Sequence, residues 1–295
     1  TKTARWRISR KMKFKDFLAL IRVHQWYKNL VVFLAIFFSG NFFDTNLIYL
    51  TIVAFFSLSF VSSAGYIIND LVDLKKDLLN PEKRTRPLAS GKVKKPTAIF
   101  ISLLLLAVSI YMAHTISIAV TYFIILLFIS HQIYTFFLKN IIFADILSIA
   151  TFFVIRAITG AFAIEVKVSP WLILCPFFLS LFLSIGKRQS ELHLLKEKSA
   201  QARKVLKEYN KELTNSLMII STTLLIISYA LYSFLSEHAN LLYTLPFALF
   251  VIFRFYYLID KGSEIARHPE RIVKDKAIIV GMILWAIVVG LLIYY

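Results

Sequence analysis

Four side chains with oxygen ligands follow one another at short spacing where the second long apolar run ends. Asn69, Asp70, Asp73 and Asp77 form an N-D-x-x-D-x-x-x-D pattern. On a continuing helix, spacings of three and four residues place the three carboxylates on one face. Like charges crowded beside an apolar run repel and are costly to desolvate, and a divalent cation offsets both effects. We expect Mg²⁺, because it binds few carboxylates and also coordinates substrate phosphates.

Three basic side chains follow these carboxylates closely: Lys83, Arg84 and Arg86. Arginine presents a planar fork that suits phosphate oxygens, whereas lysine contributes a compact charge. The combined pattern predicts a Mg²⁺–phosphate site in which Asn69 is a further ligand. The alternative is a solvated helix end with ordinary acid–base pairs, which leaves the regular acidic spacing unexplained.

The composition predicts the environment in which this chemistry takes place. Of the 295 residues, 58% are hydrophobic and 17% are charged, against roughly 45–50% and about 25% in soluble domains. This excludes an ordinary water-soluble enzyme and indicates an integral membrane protein. The net charge of +17 then favours anionic lipid or an anionic substrate over nucleic acid. The single cysteine, Cys175, excludes an intramolecular disulfide and a cysteine-built metal site.

Runs of mainly apolar residues long enough for a membrane helix occur nine times. They predict spans at 30–43, 47–68, 98–113, 116–137, 142–164, 168–186, 215–235, 240–259 and 277–295. The first run is short and is expected to recruit residues from Val23 to Asn29. No cleavable signal peptide is expected, because the first apolar stretch lacks a small-residue cleavage site.

The lysines and arginines predict the orientation of these spans. Nine of them lie in the stretch through Lys28, eight between Asn69 and Thr97, and eight between Lys187 and Lys211. Basic loops favour the cytoplasmic side, so the N-terminus is expected inside and the end of the ninth span outside. We predict an all-α membrane domain over 30–295, with a central cavity opening to the cytoplasm under cytoplasmic loops. Residues 1–29 form a basic cytoplasmic segment and the pocket rim.

Two ionisable residues lie within the fifth predicted span, where apolar side chains are the rule. Asp145 and Arg156 are eleven residues apart, or about three helical turns. An intramembrane charge is a functional candidate by default, although internal helix pairing is the simpler alternative. Asp145 is expected at the polar head of the cavity near Lys139 and Tyr134, as a contact to metal or ribose. Arg156, deeper in the span, is a candidate for lipid phosphate or internal pairing.

Several local motifs resemble one known group of enzymes. They are the carboxylate pattern and HQWYKN (24–29), NPEKRTRP (80–87), YTFFLK (134–139), RAITGAFA (156–163) and GKRQSEL (186–192). With these motifs the chain resembles the UbiA-type intramembrane prenyltransferase superfamily. Within it, the motifs are most similar to the branch that transfers a phosphoribosyl group to a polyprenyl phosphate such as decaprenyl phosphate. The resemblance covers nearly the whole chain and implies nine helices around a central cavity.

One segment departs from the usual pattern of that superfamily. Its members carry a second aspartate-rich motif after the sixth helix, which helps to hold a second Mg²⁺. Here the corresponding place contains Lys187, Arg188 and Glu191 with no aspartate pair. This puts a prenyl diphosphate donor in doubt and suits phosphate contacts by Lys187 and Arg188. An i,i+4 pair between Lys187 and Glu191 on the helix surface is the plainer alternative.

The resemblance implies phosphoribosyl diphosphate as donor, a polyprenyl phosphate as acceptor, Mg²⁺ as cofactor and a role in cell-envelope glycan precursors. The expected location is the cytoplasmic (inner) membrane, and self-association stays open. Asp70, Asp73 and Asp145 are the expected catalytic residues, with Asp70, Asp73 and Asp77 on the metal. The expected substrate contacts are Lys28, Asn29, Asn69, Lys83, Arg84, Arg86, Tyr134, Lys139, Arg156, Lys187, Arg188 and Glu191. The alternatives are prenyl transfer to an aromatic acceptor and, in another class, a membrane lipid transporter.

Overall fold

The computed structural model describes residues 12–80, 83–195, 206, 208–236 and 239–295. Within these ranges the chain forms helices and turns with no strand, and the all-α prediction is confirmed. The α-helices are α1 (Phe14–Leu20), α2 (Phe33–Phe38), α3 (Thr45–Val72), α4 (Leu74–Leu79), α5 (Lys95–Ile116), α6 (Ile118–Phe136), α7 (Ala144–Ala163), α8 (Pro170–Leu195), α9 (Lys211–Leu235), α10 (Leu245–Asp260), α11 (Glu264–Arg267) and α12 (Lys276–Tyr294). Tighter 3-10 turns cover Val23–Val32, Lys83–Thr85, Leu138–Asn140, Ala239–Thr244 and Pro269–Lys274.

Eight of the described helices are long and apolar enough to cross a membrane: α3, α5, α6, α7, α8, α9, α10 and α12. They correspond to the eight predicted spans from 47–68 onwards. The chain is therefore a multi-pass membrane protein, as its composition predicts. Residues 1–11 of the basic segment 1–29 lie outside the described residues, and so does most of the basic stretch between α8 and α9.

The first predicted span has a different local structure from the other eight. It begins as a 3-10 helix over Val23–Val32 and continues as the short helix α2, which ends at Phe38 rather than at residue 43. A 3-10 helix rises more per residue than an α-helix, so the two segments together extend roughly 29 Å. This is close to the ~30 Å of a hydrocarbon core. A ninth crossing stays a prediction, with a length that fits it.

Polar side chains fix where several long helices begin. Asp44 accepts hydrogen bonds from the backbone N–H groups of Asn46 and Leu47 at the start of α3. Ser117, Asn210 and Asp275 cap α6, α9 and α12 in the same way. Each cap pairs N–H groups that a helix leaves unsatisfied at its N-terminus. The caps therefore mark the ends of the apolar runs that the sequence shows.

Small residues let α3 approach its neighbours closely. Ser57 and Ser109 exchange hydroxyl-to-carbonyl hydrogen bonds between α3 and α5, at 2.8 and 2.7 Å. A Cβ placed on Gly65 would lie 2.8 Å from Nδ1 of His131 on α6. In membranes, close packing and interhelical hydrogen bonds of this kind hold helices together, because lipid supplies no hydrophobic driving force. Helix α3 is thus the fixed support for the carboxylates at its end.

The apolar core has two large parts that meet at α7 and α8. One part is built mainly from α3, α6 and α7, and the other from α8, α9, α10 and α12. A smaller cluster joins α12 to α2, where the Tyr294 hydroxyl donates a 2.7 Å hydrogen bond to the carbonyl of Phe37. The last helix therefore packs against the first apolar segment and closes the arrangement.

The helix that carries the carboxylates does not continue as predicted. Helix α3 ends at Val72, Asp73 occupies the junction, and α4 starts at Leu74. The expectation of one continuous helix through the three carboxylates is therefore wrong at Asp73. The backbone N–H groups of Asp73 and Asp77 nevertheless still donate to the carbonyls four residues earlier.

Candidate functional site

Asp70 and Asp77 point at one place between α3 and α4. Nη1 of Arg86 lies 2.9 Å from Oδ1 of Asp70 and 2.7 Å from Oδ2 of Asp77. Arg22 also donates to Oδ1 of Asp70. Each of the two aspartates is only 3% exposed, and the two guanidinium groups compensate the buried charge. The basic run after the carboxylates thus returns to them through Arg86.

Asp73 lies in a separate pair. Nζ of Lys139 is 2.8 Å from both carboxylate oxygens of Asp73 and 3.2 Å from Oδ1 of Asn69. Lys139 comes from the turn between α6 and α7, so this contact ties that turn to the end of α3. From the sequence, Lys139 is expected near Asp145, and its contact with Asp73 is not predicted. Asp73 thus faces a lysine and not the point shared by Asp70 and Asp77.

Arg22, which lies just before the first apolar run, belongs to the cluster at Asp70 although no sequence motif indicates it. Its backbone adopts a left-handed conformation, with φ 52° and ψ 50°. A non-glycine residue in this region is uncommon and costs free energy. The conformation places the guanidinium on Asp70 and over the ring of Tyr66, 5.1 Å from the ring centroid. No local spacing signals this contact, because 48 residues separate Arg22 from Asp70.

A polar stripe runs down α3 from the carboxylates into the bundle. Ser62, Tyr66 and Asp70 follow at intervals of four residues, so they lie on one face at steps of roughly 6 Å. Tyr66 interacts electrostatically with Lys28, Arg156 and Arg22. The positive charge near the site therefore extends from the end of α3 into the helix bundle.

Arg156 is the deepest cation of this group. It is 2% exposed and lies roughly 18 Å along α7 from the start of that helix. Its Nε donates to Oδ1 of Asn29 at 2.7 Å and its Nη2 to the Ser62 hydroxyl at 3.3 Å. Asn29 in turn donates to Ser59 at 3.0 Å. Among the described residues Arg156 has no acidic partner, so a buried positive charge is held by neutral groups alone.

A second ionic cluster forms where α7 and α8 meet. Nε of Arg188 donates to Oδ2 of Asp145 at 2.9 Å, and its Nη1 donates to Oε2 of Glu191 at 2.9 Å. Asp145 is fully buried and Arg188 is 2% exposed. Arg188 thus holds two carboxylates together from within the protein, and the three groups carry one net negative charge.

Tyr209, also missed from the sequence, completes this cluster. Its hydroxyl donates to Oδ1 of Asp145 at 2.9 Å and accepts a 3.2 Å hydrogen bond from the backbone N–H of Phe143. Burial raises the pKa of the Tyr209 phenol, and the charge of Asp145 raises it further. The hydroxyl therefore stays protonated and can donate to the carboxylate.

The remaining predicted site residues surround these two clusters. Tyr134 lies near Arg188 and packs edge-on against Phe152. Lys187 is part-buried one residue before Arg188 on α8. Lys83 and Arg84 occupy the turn before Arg86, with Arg84 exposed.

The residues of the first cluster fit a magnesium ion in their chemistry. Within the described ranges no three acidic, histidine or cysteine side chains already converge as a metal site. Two carboxylates, Asp70 and Asp77, nevertheless face one point, which Arg86 now contacts. Mg²⁺ typically takes one or two carboxylates, with waters and substrate phosphates as its other ligands. Asp70 and Asp77 would hold such an ion, with Asn69 and Asp73 next to them.

Comparison with known proteins agrees with this geometry. The model of the UbiA prenyltransferase family matches residues 29–271, which include both ionic clusters except Arg22. The chain belongs to the UbiA prenyltransferase family. The resemblance in the sequence motifs is thereby confirmed.

Relatives within the UbiA family show which branch is most similar. Decaprenyl-phosphate phosphoribosyltransferase of Mycolicibacterium smegmatis is 32% identical, over 93% of this chain and 91% of its own. The protein of that name in Corynebacterium glutamicum is 29% identical, over 93% and 85% of the two chains. The chain is a transferase of this family.

A solved structure shows the same fold. The UbiA homolog from Archaeoglobus fulgidus bound to GPP and Mg²⁺ is 18% identical, with a TM-score of 0.72 over 95% of this chain and 99% of its own. The predicted UbiA-type helical fold is therefore confirmed, although the number of crossings stays open.

Proposed function

We propose that this UbiA-family enzyme transfers the 5-phosphoribosyl group of phosphoribosyl diphosphate to a polyprenyl phosphate and releases diphosphate. The names of the relatives support this reaction, since each is a decaprenyl-phosphate phosphoribosyltransferase. The product would be a precursor of cell-envelope glycans. The proposed location is the cytoplasmic membrane, with the site at the cytoplasmic ends of the helices and the N-terminal segment inside.

The observation that carries the proposal is the presence of cations at two depths. Arg22 and Arg86 lie at the carboxylates. Arg156 lies beside Ser62, which is roughly 12 Å from Asp70 towards the N-terminal end of α3. A buried guanidinium held only by neutral groups favours an anionic ligand. A reaction between a diphosphate and a lipid phosphate has two anionic substrates, one for each level.

Donor binding is assigned to the first cluster. Mg²⁺ on Asp70 and Asp77 would act as a Lewis acid for the departing diphosphate. Arg86 and Arg22 would bind its oxygens through their planar forks, and Lys83, Arg84 and Lys28 would add positive charge around the donor. Lys139 holds Asp73 and Asn69 in place beside them. Asp70 and Asp77 thus carry the metal, and Asp73 supports the arrangement.

Acceptor binding is assigned to Arg156 and Asn29. With its phosphate on Arg156, the polyprenyl phosphate would extend its isoprenoid chain among the apolar helices. The phosphate oxygen is ionised near neutral pH, so the reaction requires no strong general base. Positioning and electrostatic stabilisation then supply most of the catalysis. Direct attack on C1 of the ribose inverts that carbon.

The second cluster is assigned to the sugar end of the donor. The trio of Asp145, Arg188 and Glu191 has one net negative charge, so it suits ribose hydroxyls better than phosphate. Glu191 is its most exposed member, with 24% of the side chain accessible. This refines the expectation that Lys187 and Arg188 contact phosphate: Arg188 acts through the two carboxylates, and Lys187 and Tyr134 lie beside it.

Transfer of a radiolabelled phosphoribosyl group tests the proposal. The purified protein in lipid nanodiscs is incubated with labelled phosphoribosyl diphosphate, Mg²⁺ and a short polyprenyl phosphate. We expect a labelled lipid and an equal amount of released diphosphate, both absent with the uncharged polyprenol. If no labelled lipid forms and the protein instead transfers a prenyl group from a prenyl diphosphate to an aromatic acid, the prenyltransferase alternative is established. Lipid movement without any chemical product would indicate a transporter.

A further inference from the structure

Two arginines occupy the point at which Asp70 and Asp77 face each other. Arg86 contacts both carboxylates through one nitrogen, at 2.9 and 2.7 Å. Arg22, which precedes α3 in the chain, contacts the same oxygen of Asp70. The oxygens that would coordinate a divalent ion are therefore the acceptors of two guanidinium groups.

We infer that Arg22 and Arg86 compete with the divalent cation for these carboxylates and transfer to diphosphate when it binds. The cation and the diphosphate would then bind as a pair, each weakly without the other. This inference rests on the proposed function in one respect, namely that the donor carries a diphosphate. It assigns a role to Arg22 that goes beyond a general phosphate contact.

Electrostatics determines the direction of the competition. An ion held by both Asp70 and Asp77 would occupy the point where Nη1 of Arg86 now lies, so the ion and this guanidinium exclude each other there. Two positive groups near the ion also repel it by an energy that is substantial at a part-buried site. Diphosphate oxygens are strong acceptors for arginine, so they can draw both guanidinium groups away from Asp70 and Asp77. By linkage, if bound diphosphate raises the affinity for the metal, then bound metal raises the affinity for diphosphate by the same factor.

Burial distinguishes these arginines from Arg188, which also joins two carboxylates. The side chains of Arg22 and Arg86 are 15% and 25% exposed, whereas that of Arg188 is 3% exposed. An arginine with an exposed part can change its rotamer towards an incoming ligand without opening the core. Arg188 is packed on all sides and is expected to stay with Asp145 and Glu191.

Metal binding without turnover tests the inference. Mn²⁺ replaces Mg²⁺ as a paramagnetic probe, and its affinity for the purified protein is measured by electron paramagnetic resonance with and without inorganic diphosphate, corrected for Mn²⁺ bound to free diphosphate. The variants are Arg22→Gln and Arg86→Gln, and Lys94→Gln is the matched control because Lys94 is exposed at the start of α5. Size-exclusion chromatography establishes that each variant is folded.

For the unchanged protein we expect diphosphate to raise the Mn²⁺ affinity. Each arginine variant should bind Mn²⁺ about tenfold more tightly than the unchanged protein when diphosphate is absent, and should gain less when diphosphate is added. Lys94→Gln should behave like the unchanged protein. Equal or weaker Mn²⁺ binding in both folded arginine variants overturns the inference. Because no sugar or lipid is present, this result is independent of the test for phosphoribosyl transfer.

Discussion

The hydroxyl of Tyr209 donates a 2.9 Å hydrogen bond to the buried carboxylate of Asp145, across 64 residues of sequence. The same hydroxyl accepts from the backbone of Phe143, whose φ of 64° is rare for a residue with a side chain. The N–H of Ala144 meets the carbonyl of Ile142 at 2.8 Å, so Phe143 is the centre of a γ-turn. Tyr209 thus holds a strained turn and the carboxylate that follows it.

Replacement of Tyr209 by Phe removes both hydrogen bonds and keeps the ring. A hydrogen bond to a charged group contributes about 1.5–3 kcal/mol, so we expect kcat/KM to fall by about tenfold or more as Asp145 loses its fixed orientation towards Arg188. The measurement is phosphoribosyl transfer at several donor concentrations. Tyr243→Phe is the control, because Tyr243 is 73% exposed. Unchanged kinetics with only a lower thermal midpoint would show that Tyr209 is purely structural.

Hydropathy predicted the long helices because each is a nearly continuous apolar run between charged segments. The basic run directly after the carboxylates likewise indicated that Arg86 can return to them, and it contacts Asp70 and Asp77. These features depend on residues close together in sequence. Their success shows that local patterns are sufficient where a single helix end and the loop after it build the site.

The contacts of Arg22, Tyr209 and Lys139 could not be predicted in this way. Arg22 reaches Asp70 over 48 residues, and Lys139 reaches Asp73 over 66. Each of these contacts depends on how separate helices pack and on backbone turns with unusual dihedral angles. The helix break at Asp73 could not be predicted either, since no proline or glycine marks it.

Metal dependence should differ among the three aspartates. EDTA should abolish transfer and Mg²⁺ should restore it. Asp70→Asn and Asp77→Asn should each lower metal affinity by more than the roughly 10- to 100-fold typical of an outer-shell group, whereas Asp73→Asn should have a smaller effect because Asp73 faces Lys139. Titration of each folded variant with Mn²⁺ measures this. Equal losses for all three would mean that Asp73 also binds the metal.

Arg156 should affect acceptor binding without supporting the fold. We expect Arg156→Gln to raise the KM for polyprenyl phosphate about tenfold, since one charge-assisted hydrogen bond is lost, and to leave the donor KM unchanged. The thermal midpoint should not fall, because an uncompensated buried charge is removed. Arg254→Gln is the control, as Arg254 pairs with Asp275 away from this site. A higher donor KM with normal acceptor kinetics would place Arg156 on the donor instead.

Gly160 is expected to be intolerant of any side chain. A Cβ at this position would lie 2.1 Å from the carbonyl oxygen of Val32, where α7 crosses the first apolar segment. Backbone cannot move as a flexible side chain would, so Gly160→Ala should destabilise the protein by about 1–3 kcal/mol or more. Thermal unfolding in detergent measures the change. Gly290→Ala should be mild, because its nearest contact is a side-chain atom of Phe37 at 3.8 Å.

The segment from Val23 to Phe38 should cross the membrane as the ninth span. Its length of roughly 29 Å is sufficient, and Arg22 and Lys28 at its beginning favour the cytoplasmic side for that end. In a Cys175→Ser background, a membrane-impermeant maleimide applied to intact cells should label Asn46→Cys and not Lys15→Cys, since both positions are exposed. Permeabilised cells should show labelling of both. Equal labelling of the two cysteines in intact cells would place both ends of the segment on one side, and the chain would then have eight crossings.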